Sequence, residues 1–354
     1  MTSKEIFIGM SNALSGPTAA LGTDMKSGAS IYIDKVNAAG GIAGRKIRLL
    51  SLDDGYEPPR TAANTRKFVE HDKVFALFGY VGTPTSLAAV PVFSRGKIPF
   101  IAPFTGAELL RNPVNPYVFN VRASYFDETE AMVEHLVKDL GVTRIGVFAQ
   151  ADAYGDAGRV GVLRALQKRG IKMAGSGTYT RNTVDVDAAI AALKAAAPQA
   201  VIMIGTYKPC AVFIRKSKAA GFTPRFLNLS FVGTEALITE LGPDGEGVYI
   251  TQVMPNHTDV TIPIVKQFRA DMQATGKTPN FTKLEGYVGA VVLVEALKRT
   301  NPLTRESLVG TLERLDFDLG GMRLIFSPQR HQGSSQVFLT RIEKGKAVSI
   351  GRMQ

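Results

Sequence analysis

Cysteine, tryptophan and histidine are scarce in this sequence, which has one Cys, no Trp and four His among 354 residues. A single cysteine, Cys210, excludes an intrachain disulfide. Its helix places it on an apolar stripe with Phe213 and Ile214, so we expect a buried thiol without a neighbouring base to activate it. The histidines show no His-x-x-His or His-Glu spacing, whereas a zinc site needs three or four converging ligands. We therefore expect no metal and no cofactor.

The motifs of common enzyme classes are also missing. There is no G-x-S-x-G elbow and no G-x-x-x-x-G-K phosphate loop, and the first strand-to-helix turn, GMSNALSGP, lacks the dinucleotide fingerprint G-x-G-x-x-G. The adjacent acids Asp53 and Asp54 end a predicted strand. They could serve acid/base chemistry or hold a cation, but turn and helix-capping roles are commoner for such pairs. The sequence gives no positive reason to expect an enzyme.

No segment approaches the roughly 18 consecutive apolar residues of a spanning helix. The most apolar helix, VGAVVLVEAL, is followed by Lys298 and Arg299. At the N-terminus, MTSKEIFIG enters a strand at once, without an apolar leader. Two interpretations are open at this point: a removed export signal or a cytosolic protein.

Charge is unbalanced, with 42 Lys and Arg against 31 Asp and Glu, a formal net charge of +11. A polyanionic partner is one interpretation. However, the basic residues are dispersed in twos and threes between acids, and aromatic residues amount to only 8%. No stacking platform for bases is recognisable, so we expect no nucleic-acid partner.

Strands and helices alternate twice along the chain, as is typical of an α/β protein. The first set has strands IFIGM, IRLLSL, VFALFG, IPFIA and YVFNV with helices near 24–39, 60–71 and 84–95. The second set begins after residue 121, with helices near 126–140, 156–169, 185–197, 208–220 and 233–241 between further strands. Most strands are continuous apolar runs, which indicates parallel sheets covered on both faces. Two doubly wound parallel-sheet lobes are therefore predicted. The tail VFLTRIEKGKAVSI predicts a hairpin turning at Lys344–Gly345–Lys346.

The segment SGPTAALGTDMKSGASIYIDKVNAAGGIAGRKI, followed by LLSLDDGYEPPRTAANTRKFV, resembles the opening of type I periplasmic solute-binding proteins. The similar group is the leucine/isoleucine/valine-binding branch that feeds ABC importers. GYVGTPTSLAAVPVF, IPFIAPFTGAELL, AYGDAGRVG, GTYKPCAVFIRKSKAAGF and KLEGYVGAVVLVEAL follow in the order of that family. No single motif is specific to that family, but the order of all of them along the chain is.

The resemblance implies lobes that interleave along the chain. Residues 1–120 with 252–328 would form lobe 1 and residues 121–251 with 329–354 lobe 2, so that the late helices 262–275 and 281–299 complete lobe 1. Crossings near 119–122, 249–253 and 327–330 would form a hinge beside a ligand cleft. The resemblance also implies a periplasmic monomer whose export signal has been removed, with ABC permease subunits as partners. The disulfide common in the first lobe of relatives is missing, because Tyr56 and Gly82 occupy the corresponding positions.

Loops at the carboxyl ends of strands are where such folds hold a small solute. After VFALFG comes Gly79–Thr85, in which Thr83 offers a hydroxyl beside the free N–H groups of a helix start. After IPFIA, Thr105 offers a second hydroxyl. Threonine also caps helices in many proteins without contacting a ligand. The resemblance implies that Thr83 and Thr105 bind a ligand carboxylate, with Gly82 and Gly106 allowing close approach of the backbone.

Aromatic side chains from the second set of strands are the other candidates. Tyr154 and Tyr207 follow strands and match positions where relatives place side chains over the ligand; ordinary packing is the alternative for each. Tyr80, Phe104 and Leu21 are expected to line the wall of the pocket.

One position departs from the family. Amino-acid-binding relatives carry an acid after the RFLNL-type strand that meets the ligand ammonium, but Ser230 stands here, followed by Phe231. A buried ammonium without a counter-charge is costly. Asp152 and Glu285 are the candidates to replace that acid; the alternative is a solute without an amine, such as an aromatic or short-chain acid.

We therefore predict the solute-binding component of an ABC importer, capturing a carboxylate-bearing solute by hinge closure. A ligand sensor of the same fold, of the amide-sensing type, is the first alternative, and neighbouring permease genes would argue against it. An enzyme on this scaffold is the second, and turnover of a solute would reveal it.

Overall fold

The computed structural model describes residues 1–354 as an α/β protein with fourteen strands and eleven α-helices. The strands are β1 (Glu5–Asn12), β2 (Lys46–Asp53), β3 (Ala76–Phe78), β4 (Phe100–Ile101), β5 (Val118–Phe119), β6 (Ile145–Gln150), β7 (Gly175–Tyr179), β8 (Ala200–Ile204), β9 (Arg225–Asn228), β10 (Tyr249–Gln252), β11 (Asp316–Asp318), β12 (Arg323–Ile325), β13 (Phe338–Glu343) and β14 (Lys346–Ile350). The helices are α1 (Ala19–Ala38), α2 (Pro58–Arg66), α3 (Thr83–Arg95), α4 (Tyr125–Leu140), α5 (Ala153–Gln167), α6 (Asp187–Ala196), α7 (Tyr207–Ala219), α8 (Thr234–Leu241), α9 (Pro263–Ala274), α10 (Phe281–Arg299) and α11 (Arg305–Leu312). None of the helices is both long and apolar enough to cross a membrane.

The chain forms two compact units. The first comprises Met1–Thr105, Leu109–Arg122 and Pro255–Ser335; the second comprises Gly106–Glu108, Ala123–Met254 and Gln336–Gln354. Residues 329–335, which the sequence analysis assigned to the second lobe, belong to the first unit. The physical reason is backbone pairing, since Asn120 N–H donates to the His331 carbonyl and Gly333 N–H to the Asn120 carbonyl, both at 2.8 Å. Conversely, residues 252–254 and 106–108 belong to the second unit.

The first unit is built on a five-stranded parallel sheet in the order β2-β1-β3-β4-β5. The order reverses between β1 and β3, which makes their carboxyl ends a topological switch point. A separate antiparallel hairpin, β11–β12, and helix α11 also belong to this unit. The sequence analysis did not predict either of them.

The second unit is built on a seven-stranded sheet in the order β14-β13-β10-β9-β8-β6-β7. Strands β7, β6, β8, β9 and β10 are parallel, with the switch point between β6 and β8, and the β13–β14 hairpin adds two antiparallel strands at one edge. Every residue of β6 and β8 is buried, as their continuous apolar sequences predicted.

Local signals explain where several helices begin and end. Ser124 and Asp127 form a reciprocal capping box at the start of α4, and Gly141 ends that helix with a left-handed backbone. Asp152 and Asn280 cap α5 and α10 through their side chains. The predicted helix at 24–39 instead begins at Ala19, shortly after Pro17.

Helices α1 and α10 pack in close contact within the first unit. A Cβ added to Gly28 would lie 1.8 Å from the carbonyl oxygen of Lys283, and one added to Gly286 would lie 2.2 Å from that of Met25. Since α10 is buried on nearly all sides, neither helix can shift without disturbing the core.

Gly28→Ala is expected to lower the free energy of unfolding by about 2–4 kcal/mol, because the methyl group overlaps the backbone of α10. Urea unfolding followed by circular dichroism measures the change. Gly310→Ala in α11 is the control: its Cβ would have no neighbour nearer than 3.4 Å, so it should be neutral or stabilise by up to about 1 kcal/mol. Equal urea unfolding midpoints for Gly28→Ala and wild type would contradict the close packing of α1 against α10.

Candidate functional site

In the first unit, the loops that follow β3 and β4 remain paired beyond the strands. Val81 and Phe104 form a parallel bridge. Phe104 N–H donates to the Tyr80 carbonyl at 2.8 Å, and Gly82 N–H donates to the Phe104 carbonyl at 3.1 Å. This pairing holds the two loops in register beside the switch point.

The paired loops bring Thr83 and Thr105 together. Their hydroxyl oxygens are 2.7 Å apart and both residues are fully buried. Thr83 is also the first residue of α3, where backbone N–H groups have no partner within the helix. Two hydroxyls and the positive end of a helix dipole therefore lie close together.

Gly82 is required by the geometry of this turn. Its φ is +105°, a conformation that favours glycine, and a Cβ would lie 2.3 Å from the Tyr56 ring. Thr85, two residues into α3, donates its hydroxyl to the carbonyls of Val81 and Gly82 and so belongs to the turn itself.

Tyr80, expected in the pocket wall, lies in the hydrophobic core of the first unit. The Tyr80 ring packs in the core, 5.0 Å from the Phe100 ring, and its hydroxyl lies 3.2 Å from that of Thr65. Burial raises the pKa of Tyr80 far above the usual value of tyrosine. Leu21 is 1% exposed on α1. Core packing accounts for the position of Tyr80, whereas the role expected for Leu21 stays a prediction.

Arg122 is a buried cation of the first unit that the sequence analysis missed. Its side chain is 1% exposed, its Nη1 lies 3.3 Å from Glu285 Oε1, and its guanidinium lies 5.1 Å from the centroid of the Phe104 ring. The charge of Glu285 is thus engaged within this unit. An arginine directly after an apolar strand, in FNVRAS, was the available signal.

In the second unit, Tyr154, Tyr207 and Phe231 lie just after the neighbouring strands β6, β8 and β9, at the starts of α5 and α7 and in a 3-10 turn. The Tyr154 ring lies 4.6 Å from that of Phe231 and 5.4 Å from that of Tyr125. Gly106 contacts the same group: its carbonyl accepts the Tyr125 N–H at 2.7 Å, and a Cβ would lie 2.4 Å from the Tyr125 ring. Tyr207 begins α7 and is 5% exposed. The carboxyl edge of this sheet therefore presents an aromatic cluster.

Asp152 caps the helix that carries Tyr154. It accepts the Tyr154 N–H at 3.0 Å and pairs with Arg181 at 3.0 Å, while Gln150 donates to it at 2.7 Å. Asp152 therefore has a cation of its own within the second unit.

Glu128, in the first turn of α4, is a buried acid that the sequence analysis did not consider. It is fully buried, and its carboxylate accepts the N–H and O–H of Ser230 at 2.9 and 3.0 Å and the O–H of Thr251 at 2.5 Å. Glu128 and Ser230 thus meet although they are 102 residues apart in sequence. No local pattern could have revealed it.

The Asp53–Asp54 pair has a structural role. Asp53 accepts hydrogen bonds from Leu14, Ser15 and Gly55 and forms an ion pair with Arg60. Burial raises the pKa of Asp53, but these hydrogen bonds outweigh it and the net pKa lies well below its usual value. Burial raises the pKa of Asp54, which Ser11 and Thr61 hold in the interior. No group of three or more His, Cys, Asp or Glu residues is placed to hold a metal ion.

Comparisons with known proteins match this chain to one family. A family model described as periplasmic binding protein matches residues 5–347. An "Amino acid binding protein" of Pseudomonas aeruginosa is 27% identical over 67% of this chain and 64% of its own length. A leucine-, isoleucine-, valine-, threonine- and alanine-binding protein of the same organism is 23% identical over 90% of this chain and 84% of its own.

Among solved structures, a possible leucine/isoleucine/valine-binding protein from Rhodopirellula baltica is 39% identical, with a TM-score of 0.94 over 99% of this chain and 97% of that one. A fatty acid ABC transporter substrate-binding protein from Thermomonospora curvata, 20% identical over 100% of this chain and 92% of that one, has a TM-score of 0.90. At that identity only the fold is shared. The fold by itself therefore does not decide the solute.

Asp53→Asn is expected to destabilise the protein by about 1–3 kcal/mol at pH 7, through loss of charge-assisted hydrogen bonds. Because the folded-state pKa is lowered, the contribution of Asp53 is complete above its unfolded pKa near 4 and is lost as the pH falls towards the folded pKa. The difference from wild type should therefore narrow between pH 5 and about pH 3 in urea unfolding. Asp187→Asn, at a side chain 77% exposed, is the control. If the destabilisation by Asp53→Asn did not change with pH, loss of the Asp53 charge could not be its cause.

Cys210 should not react with a thiol-specific dye in the native protein. It is fully buried, and burial raises the pKa of its thiol far above the usual range, so almost no thiolate exists at pH 8. Absorbance of the released dye anion measures the reaction, and one equivalent should appear in guanidinium chloride. Rapid labelling without denaturant would show that this interior opens readily.

Proposed function

Since the chain belongs to the periplasmic binding protein family, we propose that it captures a small carboxylate-bearing solute outside the cytoplasm and delivers it to the permease of an ABC importer. The family match over residues 5–347 and relatives named as amino acid binding proteins support this proposal. The solute would be an amino acid or an aromatic or short-chain acid. The protein would act as a monomer, without a cofactor.

The observation that carries the proposal is the buried hydroxyl pair of Thr83 and Thr105. Hydroxyls can donate to a carboxylate, and the adjacent start of α3 adds N–H groups and a favourable dipole. The pair lies at the carboxyl ends of β3 and β4, beside the switch point of the first sheet. A small anion is the ligand that such a combination suits.

The second unit would contact the remainder of the same solute. Tyr154, Tyr207 and Phe231 offer large aromatic surfaces with few rotatable bonds, which favours binding at low entropic cost. Contacts made by both units would favour a closed state over an open one by their free energy, as in hinge-closing binding proteins.

Binding would leave the solute chemically unchanged. Asp53 and Asp54, the acids with an alternative interpretation as acid/base groups, are held by neighbouring residues of the first unit. Mass spectrometry of a solute recovered after incubation should therefore show its original mass.

Thr83→Val and Thr105→Val test the carboxylate site, because valine removes the hydroxyl while keeping the shape. Each should weaken binding of a carboxylate about tenfold or more, since one charge-assisted hydrogen bond contributes roughly 1.5–3 kcal/mol. Protein unfolded and refolded to remove bound solute would be screened by thermal shift against amino acids, aromatic acids, short-chain acids and their amides, and then titrated calorimetrically.

Thr275→Val is the matched control, because that hydroxyl bonds to the Met272 carbonyl on the exposed end of α9 in the same unit. It should bind like wild type. Normal carboxylate affinity in both site variants, or equal stabilisation by acids and their neutral amides, would contradict the proposed site.

A further inference from the structure

The edge of the first sheet at which its strands begin carries a row of exposed cations. All five strands are parallel, so their first residues lie side by side at one edge, about 4.8 Å apart from strand to strand. Helices α2 and α3 end at this edge, because each connects the end of one parallel strand to the start of another. The cations at these strand starts and helix ends, here called the basic edge, are Lys4, Lys46, Arg66, Lys73, Arg95 and Lys97.

The six side chains of the basic edge are exposed and have no acidic partner. None of their side-chain nitrogens has a carboxylate oxygen within 4.0 Å. Two nearby acids are engaged by other cations, since Glu5 pairs with Arg48 at 3.3 Å and Asp72 pairs with Lys67 at 2.7 Å. The sequence shows these cations dispersed along the chain, and the sheet brings them to one edge.

A single small anion does not match the whole row. Lys46 begins β2 and Lys97 precedes β4, and the strand order separates them by three strand steps, about 14 Å. Two grooves of about 520 and 410 Å³ meet at Gly96, near one end of the row. Each groove also has an acid in its wall, Glu306 in the larger and Glu70 in the smaller. A partner that presents many anionic groups over a surface is the better match.

Lipid headgroups match the row better than an acidic polypeptide does. Protein interfaces depend on large apolar or aromatic side chains that fill pockets. The turns of the basic edge, 44–46, 70–73 and 95–97, contain no large apolar residue. An anionic membrane needs no such anchor, because each Lys or Arg near its surface raises the affinity about fivefold by electrostatic attraction.

We propose that the basic edge of the first unit binds anionic lipid headgroups and holds the protein reversibly at a membrane surface. Binding would raise the local concentration of the protein beside the permease that the proposed function requires. The inference does not depend on which solute is bound, since none of the six cations belongs to the Thr83–Thr105 hydroxyl pair.

Co-sedimentation of the full chain with lipid vesicles tests the inference. Wild type should bind vesicles of equal parts phosphatidylglycerol and phosphatidylcholine in about 0.05 M salt, and should not bind vesicles of phosphatidylcholine alone. Raising the salt to about 0.5 M should weaken binding about tenfold or more, because salt screens the attraction. Failure to bind the anionic vesicles, or binding that does not respond to salt, would overturn the inference.

Lys46→Gln and Lys97→Gln each remove one charge, at well-separated positions in the row. Each should weaken vesicle affinity about fivefold, and the double variant should weaken it about twentyfold or more. An anion site confined to the grooves beside Gly96 would respond to Lys97→Gln and not to Lys46→Gln. That result would overturn the assignment to a membrane.

The double variant Lys344→Gln, Lys346→Gln is the matched control, at the turn of the β13–β14 hairpin in the second unit. Both lysines are exposed, so the control lowers the net charge by the same amount as Lys46→Gln, Lys97→Gln. Its vesicle affinity should change less than about twofold. An equal loss in the two double variants would show that net charge drives binding without the basic edge, and would overturn the inference.

Solute binding separates this inference from the proposed function. All variants should keep the circular dichroism spectrum and the thermal-shift response of wild type. Vesicle binding by a protein that binds no carboxylate would refute the function and support the inference. Tighter binding of polyglutamate than of anionic vesicles would overturn the inference in favour of an acidic polypeptide partner and leave the function standing.

Discussion

Backbone pairing beyond the ends of two short parallel strands is the constraint on which the Thr83–Thr105 hydroxyl pair depends. Strands β3 and β4 have three and two residues, yet the Val81–Phe104 bridge continues their register into the loops. Thr83 and Thr105 are 22 residues apart in sequence and meet at 2.7 Å because the loops are hydrogen-bonded to each other. Gly82 makes the turn possible by adopting a positive φ. The geometry of the sheet and its loops therefore brings the two hydroxyls together.

Charged side chains in both units are held by hydrogen bonds or ion pairs. In the first unit Arg122 pairs with Glu285, and Asp53 is held by amides, a hydroxyl and Arg60. In the second unit Glu128 is bonded by Ser230 and Thr251. Desolvating a charge is costly unless hydrogen bonds compensate for it, so each buried acid needs a structured set of donors. Those donor sets lie at strand ends and helix starts, which is also where solutes bind in this fold class.

Much of the fold could be predicted because its elements carry local signals. Continuous apolar runs predicted the parallel strands β6 and β8, and glycine or capping residues marked the ends of helices such as α4. The β13–β14 hairpin was predicted from its Lys344–Gly345 turn. Helix α11 and the β11–β12 hairpin were not predicted, because they are short and their burial pattern is weak. Strands β11 and β12 pair only with each other, as a two-stranded sheet.

The amino-acid sequence alone determined the α/β class, the alternation of strands and helices, and the segments after the strands in which Thr83, Thr105, Tyr154 and Tyr207 lie, since all of these follow from local periodicity and turn chemistry. The tertiary structure decided which buried groups meet. Tyr80 turned into the core beside Phe100, Arg122 met Glu285 over 163 residues, and Glu128 met Ser230 over 102. The reason is physical. Hydrogen bonds and ion pairs form only between groups a few ångströms apart in space, and the number of residues between two groups in the sequence does not predict their distance in the folded protein.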